Sequence, residues 1–572
     1  MKRKKILAVM SLLMTLSIGI TGCGGTNTAT KPVQKQDLKK TTTEIVQAKD
    51  PSKVPEAAKN RKDTLIVGAN DAPKGNINAL TAQSVYDQYA YELVFDWLIS
   101  NDEEGNPVPA VAEKWDISPD GTKYTFYLRK DVKFSNGTPL TAEDVAFTIT
   151  ALCDPKYDGQ ISNYADHIKG YKEYNKGDAK TVEGIKVIDP YTVEVTLISP
   201  KASAIFDLGQ LSILSKKYYG FEKGNFQKLK DLDQKPMGSG PYVMKQFKPG
   251  QEIDFESNPS YWRGAPKIKN LIMKKTDAST MIQEITTGGV DINLIPAKPE
   301  NIAMLDKAEF ITKQFHPDNG YGFMSFNLKD PRFQDKRVRQ ALTYGLNRQG
   351  FVDSYYKGYA EVCNQPFSPA QWAYSDDVNQ YKYDPDKAGK MLDEAGWKLN
   401  SSDGYRYKDG KKFTINWLTY TGSKYEDALI SITKDSWKKI GVEVIPQSMD
   451  FNTLLDKADK REYEIYNMAW NLSLDPDPTQ VFHSSQDVPG GSNNMAFHNA
   501  DSDKLLEDGL KETDKAKRKE IYNKWAKLIN EECPNIFLDQ NKDLWAVSAR
   551  VQGMKISPFR NWTYDMYKIE LK

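Results

Sequence analysis

The sequence has few of the residues that build metal, redox and nucleophilic sites. Only four histidines and four cysteines occur among 572 residues. The histidines, at positions 167, 316, 483 and 498, show no HExxH or i, i+4 spacing, and no CxxC pair occurs. GxSxG and a glycine-rich phosphate loop are also missing. We therefore expect no metal, no cofactor and no enzymatic activity.

The cysteines do not form a disulfide framework. Cys23 lies close to the N-terminus, and only Cys153, Cys363 and Cys533 remain in the rest of the chain. An odd number of thiols cannot all pair, so at most one disulfide is possible, and the sequence does not say which. Three isolated, inert thiols are the expected state.

The chain also lacks an excess of either charge. Lys and Arg number 78 against 77 Asp and Glu, and the two signs are mixed along the sequence. A nucleic-acid-binding protein would show a basic stripe, so we expect no nucleic-acid partner.

No apolar run is long enough to cross a bilayer. Four basic residues, 2–5, precede an apolar run from Ile6 to Ile20. It is shorter than the roughly 20 residues that a membrane-spanning helix needs, and this order is typical of an export signal. The run ends in Ile20-Thr21-Gly22-Cys23, which resembles a bacterial lipobox. Residues 1–22 are thus a predicted signal peptide and Cys23 a predicted lipidation site; an ordinary signal peptide and an uncleaved anchor are the alternatives.

Residues 23–62 are predicted to be a lipidated, flexible tether. The segment is rich in Thr, Lys, Gln, Asp and Pro and has almost no large apolar residue, so it cannot bury enough surface to offset its chain entropy. The remaining body, from residue 63 to residue 572, is long enough for two or three domains.

Strand and helix patterns alternate along the body, which indicates an α/β architecture. Strands are predicted at 65–68, 124–128 and 193–197 from apolar content and period-two alternation. Helices are predicted from the capping box at Thr141–Asp144, from Asp384-Pro385, and from the apolar stripe that ends before Pro534.

Eight landmarks then occur in a fixed order. The longest, from Ala112 to Phe147, contains a tryptophan, an Asp-Gly turn, an aromatic strand, Leu-Arg, Gly-Thr-Pro and Asp-Val. The others are Pro236–Tyr242, Asn258–Trp262, Phe326-Asn327, Asp335–Ala341, Tyr383–Pro385, Ala395–Trp397, and Trp470 followed by Asp475–Pro478. Together they resemble the bacterial extracellular solute-binding protein family 5, whose members include oligopeptide- and dipeptide-binding lipoproteins of ABC transporters.

The resemblance implies a two-lobed, hinged fold of the periplasmic-binding-protein type, with an inserted domain and a discontinuous first lobe. Lobe I would comprise residues 63–100, 225–320 and 545–572. The inserted domain would span 101–224 and lobe II 321–544.

The resemblance also implies a function. The protein would capture peptides in a cleft between the lobes and deliver them to the membrane permease and ATPase subunits of an importer. It would be a monomer, anchored to membrane lipid through Cys23 and facing the outside of the cell, or the periplasm if an outer membrane is present.

In peptide-binding members, an aspartate after the late tryptophan often binds the α-ammonium group of the ligand. Here Ser473 stands at that position, and Asp475 follows two residues later. Asp475 either receives the amine or only begins an Asp-Pro turn. The expected ligand-binding residues are Trp470, Asn471, Ser473, Asp475, Gln83, Tyr164, Asn319, Tyr321 and Phe323.

Three alternatives remain open. Relatives with this fold bind nickel chelates, glycosides or other solutes. A surface receptor or chaperone would use the same cleft for signalling peptides or unfolded segments. An extracellular hydrolase is the alternative of another class. An elongated enclosed groove would favour peptides, and a compact one would favour a small solute.

Overall fold

A computed structural model describes residues 43–572 except 83, 160, 162–163 and 489–490. The predicted signal peptide, Cys23, the first part of the predicted tether and Gln83 lie outside the described residues. Within the described ranges, no helix combines the length and apolar character needed to cross a bilayer.

The secondary structure mixes strands and helices along the whole body. The strands are β1 Glu44–Val46, β2 Thr64–Ala69, β3 Ile99–Asn101, β4 Pro107–Pro109, β5 Ala112–Ile117, β6 Lys123–Leu128, β7 Ile185–Asp189, β8 Thr192–Thr196, β9 Tyr242–Lys248, β10 Glu252–Ser257, β11 Asn270–Lys275, β12 Ile292–Pro296, β13 Ile311–Pro317, β14 Gly320–Phe326, β15 Ala360–Val362, β16 Lys398–Leu399, β17 Arg406–Lys408, β18 Lys411–Lys412, β19 Thr414–Tyr420, β20 Glu443–Met449, β21 Ile465–Asn471, β22 Asn535–Phe537, β23 Asp539–Ser548, β24 Val551–Gln552 and β25 Glu570–Leu571. The helices are α1 Glu56–Lys59, α2 Val85–Val94, α3 Ala142–Leu152, α4 Tyr171–Lys176, α5 Ala204–Gly209, α6 Lys216–Tyr219, α7 Gln227–Lys230, α8 Met281–Thr286, α9 Pro299–Ala308, α10 Pro331–Gln334, α11 Lys336–Tyr344, α12 Arg348–Tyr355, α13 Pro385–Glu394, α14 Lys424–Lys439, α15 Phe451–Lys460, α16 Thr479–Phe482, α17 Ala500–Lys511 and α18 Lys515–Glu532.

The predicted local elements form where the sequence indicated. The three predicted strands are β2, β6 and β8. Helix α3 begins with a capping box, because Thr141 and Asp144 satisfy each other's backbone groups. The Asp384 carboxylate accepts a hydrogen bond from Lys387 N at the start of α13, and α18 ends two residues before Pro534.

Lobe I is built on the largest sheet, in the order β1-β13-β23-β12-β2-β11-β10-β9. Strand β2 is parallel to β11 and β12, whereas β23 is antiparallel to β12 and β13. These strands come from distant parts of the sequence, so the first lobe is discontinuous. The inserted domain has a separate antiparallel sheet, β5-β6-β8-β7, with α3 packed on it.

Lobe II is built on a five-stranded sheet in the order β20-β19-β21-β14-β22. Strand β19 runs parallel to β20 and β21, and β14 lies antiparallel between β21 and β22. Trp417 and Trp437 are buried in its core. The lobe is thus a second α/β unit with its own hydrophobic core.

Two short connections join the lobes. Residues 318–319 link β13 of lobe I to β14 of lobe II, and residue 538 links β22 to β23. Few backbone dihedrals separate the sheets at these points, so the connections can act as a hinge. The fold is the expected two-lobed α/β architecture.

The structure corrects the expectation that the tether extends to residue 62. Strand β1 pairs antiparallel with β13, with Glu44 opposite Phe315. Val54 and Ala58 are buried against lobe I. The segment orders because the edge of the large sheet satisfies its backbone hydrogen bonds, which offsets its low apolar content. Any flexible tether therefore ends by about residue 43.

The predicted boundary between residues 544 and 545 falls inside β23. Residues 542–544 of this strand pair with β13, and 543–544 also with β12, so they share the sheet of lobe I, whereas residues 539–541 pair with β15. The other domain limits stay predictions. Cys153, Cys363 and Cys533 are free and buried, as expected, and burial raises the pKa of the Cys153 and Cys363 thiols to about 12.

Candidate functional site

A compact cavity of about 180 Å³ lies between the two lobes. Lobe I contributes residues 294–298 at the end of β12 and residues 541–543 of β23. Lobe II contributes β14, β21 and a group of tyrosines, namely Tyr355, Tyr356, Tyr420 and Tyr425. The hinge residue Asp318 completes the wall. The cavity is therefore formed by the lobes and by the connections that would move them.

A larger groove, of about 940 Å³, lies on lobe I alone, between β1, β13 and the C-terminal residues. The described residues that line it include Lys59, Lys62, Arg550 and Lys572 but no aromatic or acidic side chain. Closure of one lobe on the other would not enclose it. We therefore take the interlobe cavity as the candidate site.

Asp539 is held rigidly at the cavity wall. It is 3% exposed, and the hydroxyls of Tyr356 and Tyr425 donate hydrogen bonds of 2.7 Å to its two carboxylate oxygens. Gly322 lies directly against it, because a Cβ added there would be 2.6 Å from Asp539 Oδ1. Only a glycine on β14 lets the strand backbone approach this carboxylate without displacement.

Two further carboxylates, of Asp318 and Asp543, lie at the hinge end of the cavity. Burial raises the pKa of Asp318 to about 7, and the charge of Asp543 adds to the effect. Burial also raises the pKa of Asp543 to about 6. Desolvation and a neighbouring like charge both disfavour the ionised form. The pair is thus electrostatically unfavourable when both groups are ionised.

The lobe II wall contains a buried amide network. Asn467 donates to Glu426 Oε1 over 2.6 Å and accepts from Trp417 Nε1 over 3.0 Å. Burial raises the pKa of Glu426 to about 7. These bonds fix the Asn467 side chain, which lines the cavity on β21.

The two lobes touch on both sides of the cavity. Near β12, the ammonium of Lys298 lies 4.7 Å from the ring centroid of Tyr355, and Glu300 pairs with Lys357 at 3.3 Å. On the inserted-domain side, Ala202 N donates to Leu510 O over 2.8 Å, and Lys515 Nζ donates to Asn106 Oδ1 over 2.5 Å. The described arrangement is a closed one.

Tyr321 and Asn471 are the two sequence-predicted residues that line this cavity. Trp470 lies opposite Tyr321 in the pairing of β14 with β21, and it packs with Phe323 against a hydrophobic cluster of lobe II. Asn319 Nδ2 donates to Leu472 O over 2.8 Å, which ties the hinge to the end of β21. Asn319 is not among the described residues that line the cavity.

Tyr164 lies in the inserted domain and packs against the core that this domain shares with lobe I. Burial raises its pKa, and the charge of Asp207 adds to the effect. It does not line the described cavity. Gln83 is outside the described residues.

The structure corrects the expectation for Asp475 and Ser473. Asp475 is 5% exposed, and its oxygens accept bonds of 2.5 and 2.6 Å from the guanidinium of Arg518. The Ser473 hydroxyl donates to Asp475 O over 2.6 Å. Neither side chain lines the cavity. Because both carboxylate oxygens are occupied by a buried arginine, Asp475 orders the chain after β21 and is not placed to accept a ligand amine.

Comparison with known proteins identifies the family to which this two-lobed chain belongs. A profile for bacterial extracellular solute-binding proteins, family 5 Middle, matches residues 106–493, which is more than half of the chain. The chain belongs to this family.

Individual relatives of the family match over most of their length. The oligopeptide-binding protein AppA of Bacillus subtilis is 29% identical over 575 residues, covering 100% of this chain and 98% of that protein. The structure of Bacillus subtilis AppA in complex with a nonapeptide has a TM-score of 0.73 at 29% identity and covers 89% of this chain and 99% of that one. NikZ from Campylobacter jejuni, in complex with Ni(L-His), has a TM-score of 0.75 at 27% identity and covers 89% and 99%.

Sequence reasoning missed most of the cavity wall of this family member. The missed residues lie at or near the hinge (Asp318, Asp539 and Asp543), at the end of β12 in lobe I (Lys298), or on the tyrosine-lined face of lobe II (Tyr355, Tyr356, Tyr420 and Tyr425). No sequence signal marked the acids of β23. Residues 539–543 read Asp-Gln-Asn-Lys-Asp, a wholly polar run, so the burial of Asp539 is visible only in the structure.

Proposed function

We propose that this protein is the extracellular substrate-binding component of an ABC importer, which captures peptides in the interlobe cavity and delivers them to the membrane permease. The cavity formed by both lobes and the hinge residue Asp318 supports this function, because closure around a ligand couples binding to a shape that a permease can recognise. The similarity to AppA, named as oligopeptide-binding, supports peptide as the ligand.

The compact cavity favours a short peptide over a long one. Its volume of about 180 Å³ is below the roughly 300–1,000 Å³ that is usual for ligand pockets. A nonapeptide would need the lobes to stand further apart than they do here. We propose di- and tripeptides as the ligands of this closed form.

Calorimetric titration with alanine peptides of two, three, six and nine residues tests this proposal. We expect the dipeptide or tripeptide to bind most tightly, and the longer peptides to bind more weakly because they cannot fit the closed cavity. Free alanine is the matched control, since it carries both charged ends but no peptide bond. Tightest binding by the nonapeptide would contradict the size argument, and no binding by any peptide would contradict the proposed function.

A small non-peptide solute is the second candidate. The compactness of the cavity favours it, and so does the similarity to NikZ, whose structure holds Ni(L-His). Titration with the nickel–histidine complex, with histidine alone as the control, separates this candidate from the first. Binding of the complex in preference to all peptides would establish it.

We propose that the chain is a monomeric lipoprotein, cleaved after residue 22 and attached to membrane lipid through Cys23. The basic, apolar and lipobox order of the first 23 residues supports this. Labelled palmitate should be incorporated by the wild-type chain and not by Cys23→Ala. Persistence of the label in that variant would show that the anchor lies elsewhere.

A further inference from the structure

Two carboxylates lie at the hinge end of the cavity, and among the described residues neither forms an ion pair with a lysine or arginine. Asp318 lies in the connection between β13 and β14, and Asp543 lies on β23. Burial raises the pKa of both groups, and for Asp318 the charge of Asp543 adds to the effect while His316 opposes it. Two partly desolvated carboxylates favour a bound cation, which removes their mutual repulsion.

A buried histidine supplies a second, independent observation. His316 lies opposite Asp543 in the pairing of β13 with β23, so the two side chains share a face of the sheet. The imidazole is 4% exposed, and its Nδ1–H donates to Pro317 O over 2.9 Å. A carbonyl only accepts, so Nε2 is the unprotonated nitrogen. Among the described residues, buried Nε2 has no hydrogen-bond partner.

An acid, a tyrosine and two lysines surround these acceptors. Each oxygen of Asp539 already accepts a hydrogen bond from a tyrosine hydroxyl. Burial raises the pKa of Tyr89 on α2, and the charges of Asp543 and Asp318 add to this effect. Lys298 and Lys542 also line the cavity, and Lys298 stacks on Tyr355. The hinge end of the cavity therefore presents acceptors to a ligand.

We propose that Asp318, Asp543 and Nε2 of His316 together bind a primary ammonium group of the ligand. An ammonium has three N–H donors and no acceptor. Asp318 and Asp543 line the cavity, and His316, opposite Asp543, shares its face of the sheet. This inference rests on the proposed function and narrows it to peptides with a free α-amino end or a lysine side chain. It places amine recognition on the hinge strands, and not at the segment that follows Trp470.

The test is calorimetric titration of the purified protein with three dipeptides: Ala-Ala, N-acetyl-Ala-Ala and N-acetyl-Lys-Ala. The variants are Asp318→Asn and Asp543→Asn, which keep the side-chain shape. Asp131→Asn, at an exposed position of the inserted domain, is the matched control. Thermal denaturation of each variant checks that it is folded.

For a ligand whose ammonium binds here, each of the two variants should weaken binding about ten- to a hundredfold, as expected for loss of one charge-assisted bond. Asp131→Asn should leave binding unchanged. Acetylation of Ala-Ala should cause a similar loss in the wild-type protein, and this comparison needs no variant. The acetylated peptide should lose little more in the variants, since both changes remove the same interaction.

The outcomes separate the two ammonium sources. If both variants bind Ala-Ala more weakly, the α-amino group is the ammonium that binds here. If both variants bind N-acetyl-Lys-Ala more weakly, the lysine side chain is that ammonium. Equal losses for Ala-Ala and N-acetyl-Ala-Ala, or no loss for any peptide, would overturn the inference while leaving peptide binding intact. If the wild type binds none of the peptides, the proposed function fails. Putrescine then tests the acceptors alone, and its failure to bind would overturn the inference as well.

Discussion

Replacement of Asp475 by asparagine separates a structural role from a ligand-binding role. The Asp475–Arg518 pair is almost fully buried, with side-chain exposures of 6% and 5%. Arg518 also donates to Gly509 O over 2.8 Å and to Tyr522 Oη over 2.9 Å. Removal of the carboxylate charge leaves the buried guanidinium with Asp477 as a weaker acidic neighbour, and breaking a buried ion pair typically costs about 3–5 kcal/mol.

This cost predicts a large effect on stability. The amide oxygen of the introduced asparagine can still accept one of the two bonds, so the lower part of the range, about 3 kcal/mol, is expected. For cooperative units of roughly 150–250 residues, each kcal/mol lowers Tm by about 2–4 °C, so Asp475→Asn should lower the Tm of lobe II by about 6–12 °C. The folded variant should bind peptide as the wild type does.

Thermal denaturation monitored by tryptophan fluorescence, together with titration of Ala-Ala below the transition, measures both quantities. The double variant Asp475→Asn/Arg518→Met serves as the control, because removing the guanidinium as well should recover part of the lost stability. A Tm within about 2 °C of wild type, combined with a loss of binding for Ala-Ala but not for N-acetyl-Ala-Ala, would refute the structural role and restore Asp475 as the amine acceptor.

Two further predictions concern the cavity itself. Because the pKa values of Asp318 and Asp543 are raised to about 7 and about 6, the folded, ligand-free protein holds protons that the unfolded chain releases near pH 4. The stability from this source is present below pH 4 and is lost as the pH rises through about 6–7. Tm measured without ligand should therefore be higher at pH 5.5 than at pH 8, and this difference should be smaller in Asp318→Asn. An equal difference in that variant would contradict the assignment. Gly322→Ala places a Cβ 2.6 Å from Asp539 Oδ1 and should weaken Ala-Ala binding at least tenfold, by about 1.4 kcal/mol. The control variant Gly137→Ala, at an open turn, should bind Ala-Ala as the wild type does. Equal affinities of the two variants for Ala-Ala would count against the role of this close approach.

The fold could be predicted because its determinants are local and ordered. The capping box at Thr141, the Asp384-Pro385 helix start and the period-two strands each specify one element through neighbours in the sequence. Their order then identifies the family. The order of the pieces in space, with β23 returning to the sheet of lobe I, came from the resemblance and not from the local patterns.

The site could be predicted only in part because its residues are brought together by the hinge. Asp318 and Asp543 are 225 positions apart in the sequence, and they meet only because β13 pairs with β23. The partner of Asp475 lies in α18, so no local pattern reveals that its carboxylate is occupied. The predicted tether is too long for the same reason, because β1 is ordered by pairing with a strand about 270 residues later.

The most direct test is a crystal structure of the protein with Ala-Ala. We predict the dipeptide in the interlobe cavity, with the lobes closed, its ammonium nitrogen within about 3.2 Å of carboxylate oxygens of Asp318 and Asp543, and Asp475 still paired with Arg518. A dipeptide bound outside this cavity, or with its amino end at Asp475, would contradict the proposed mode of capture.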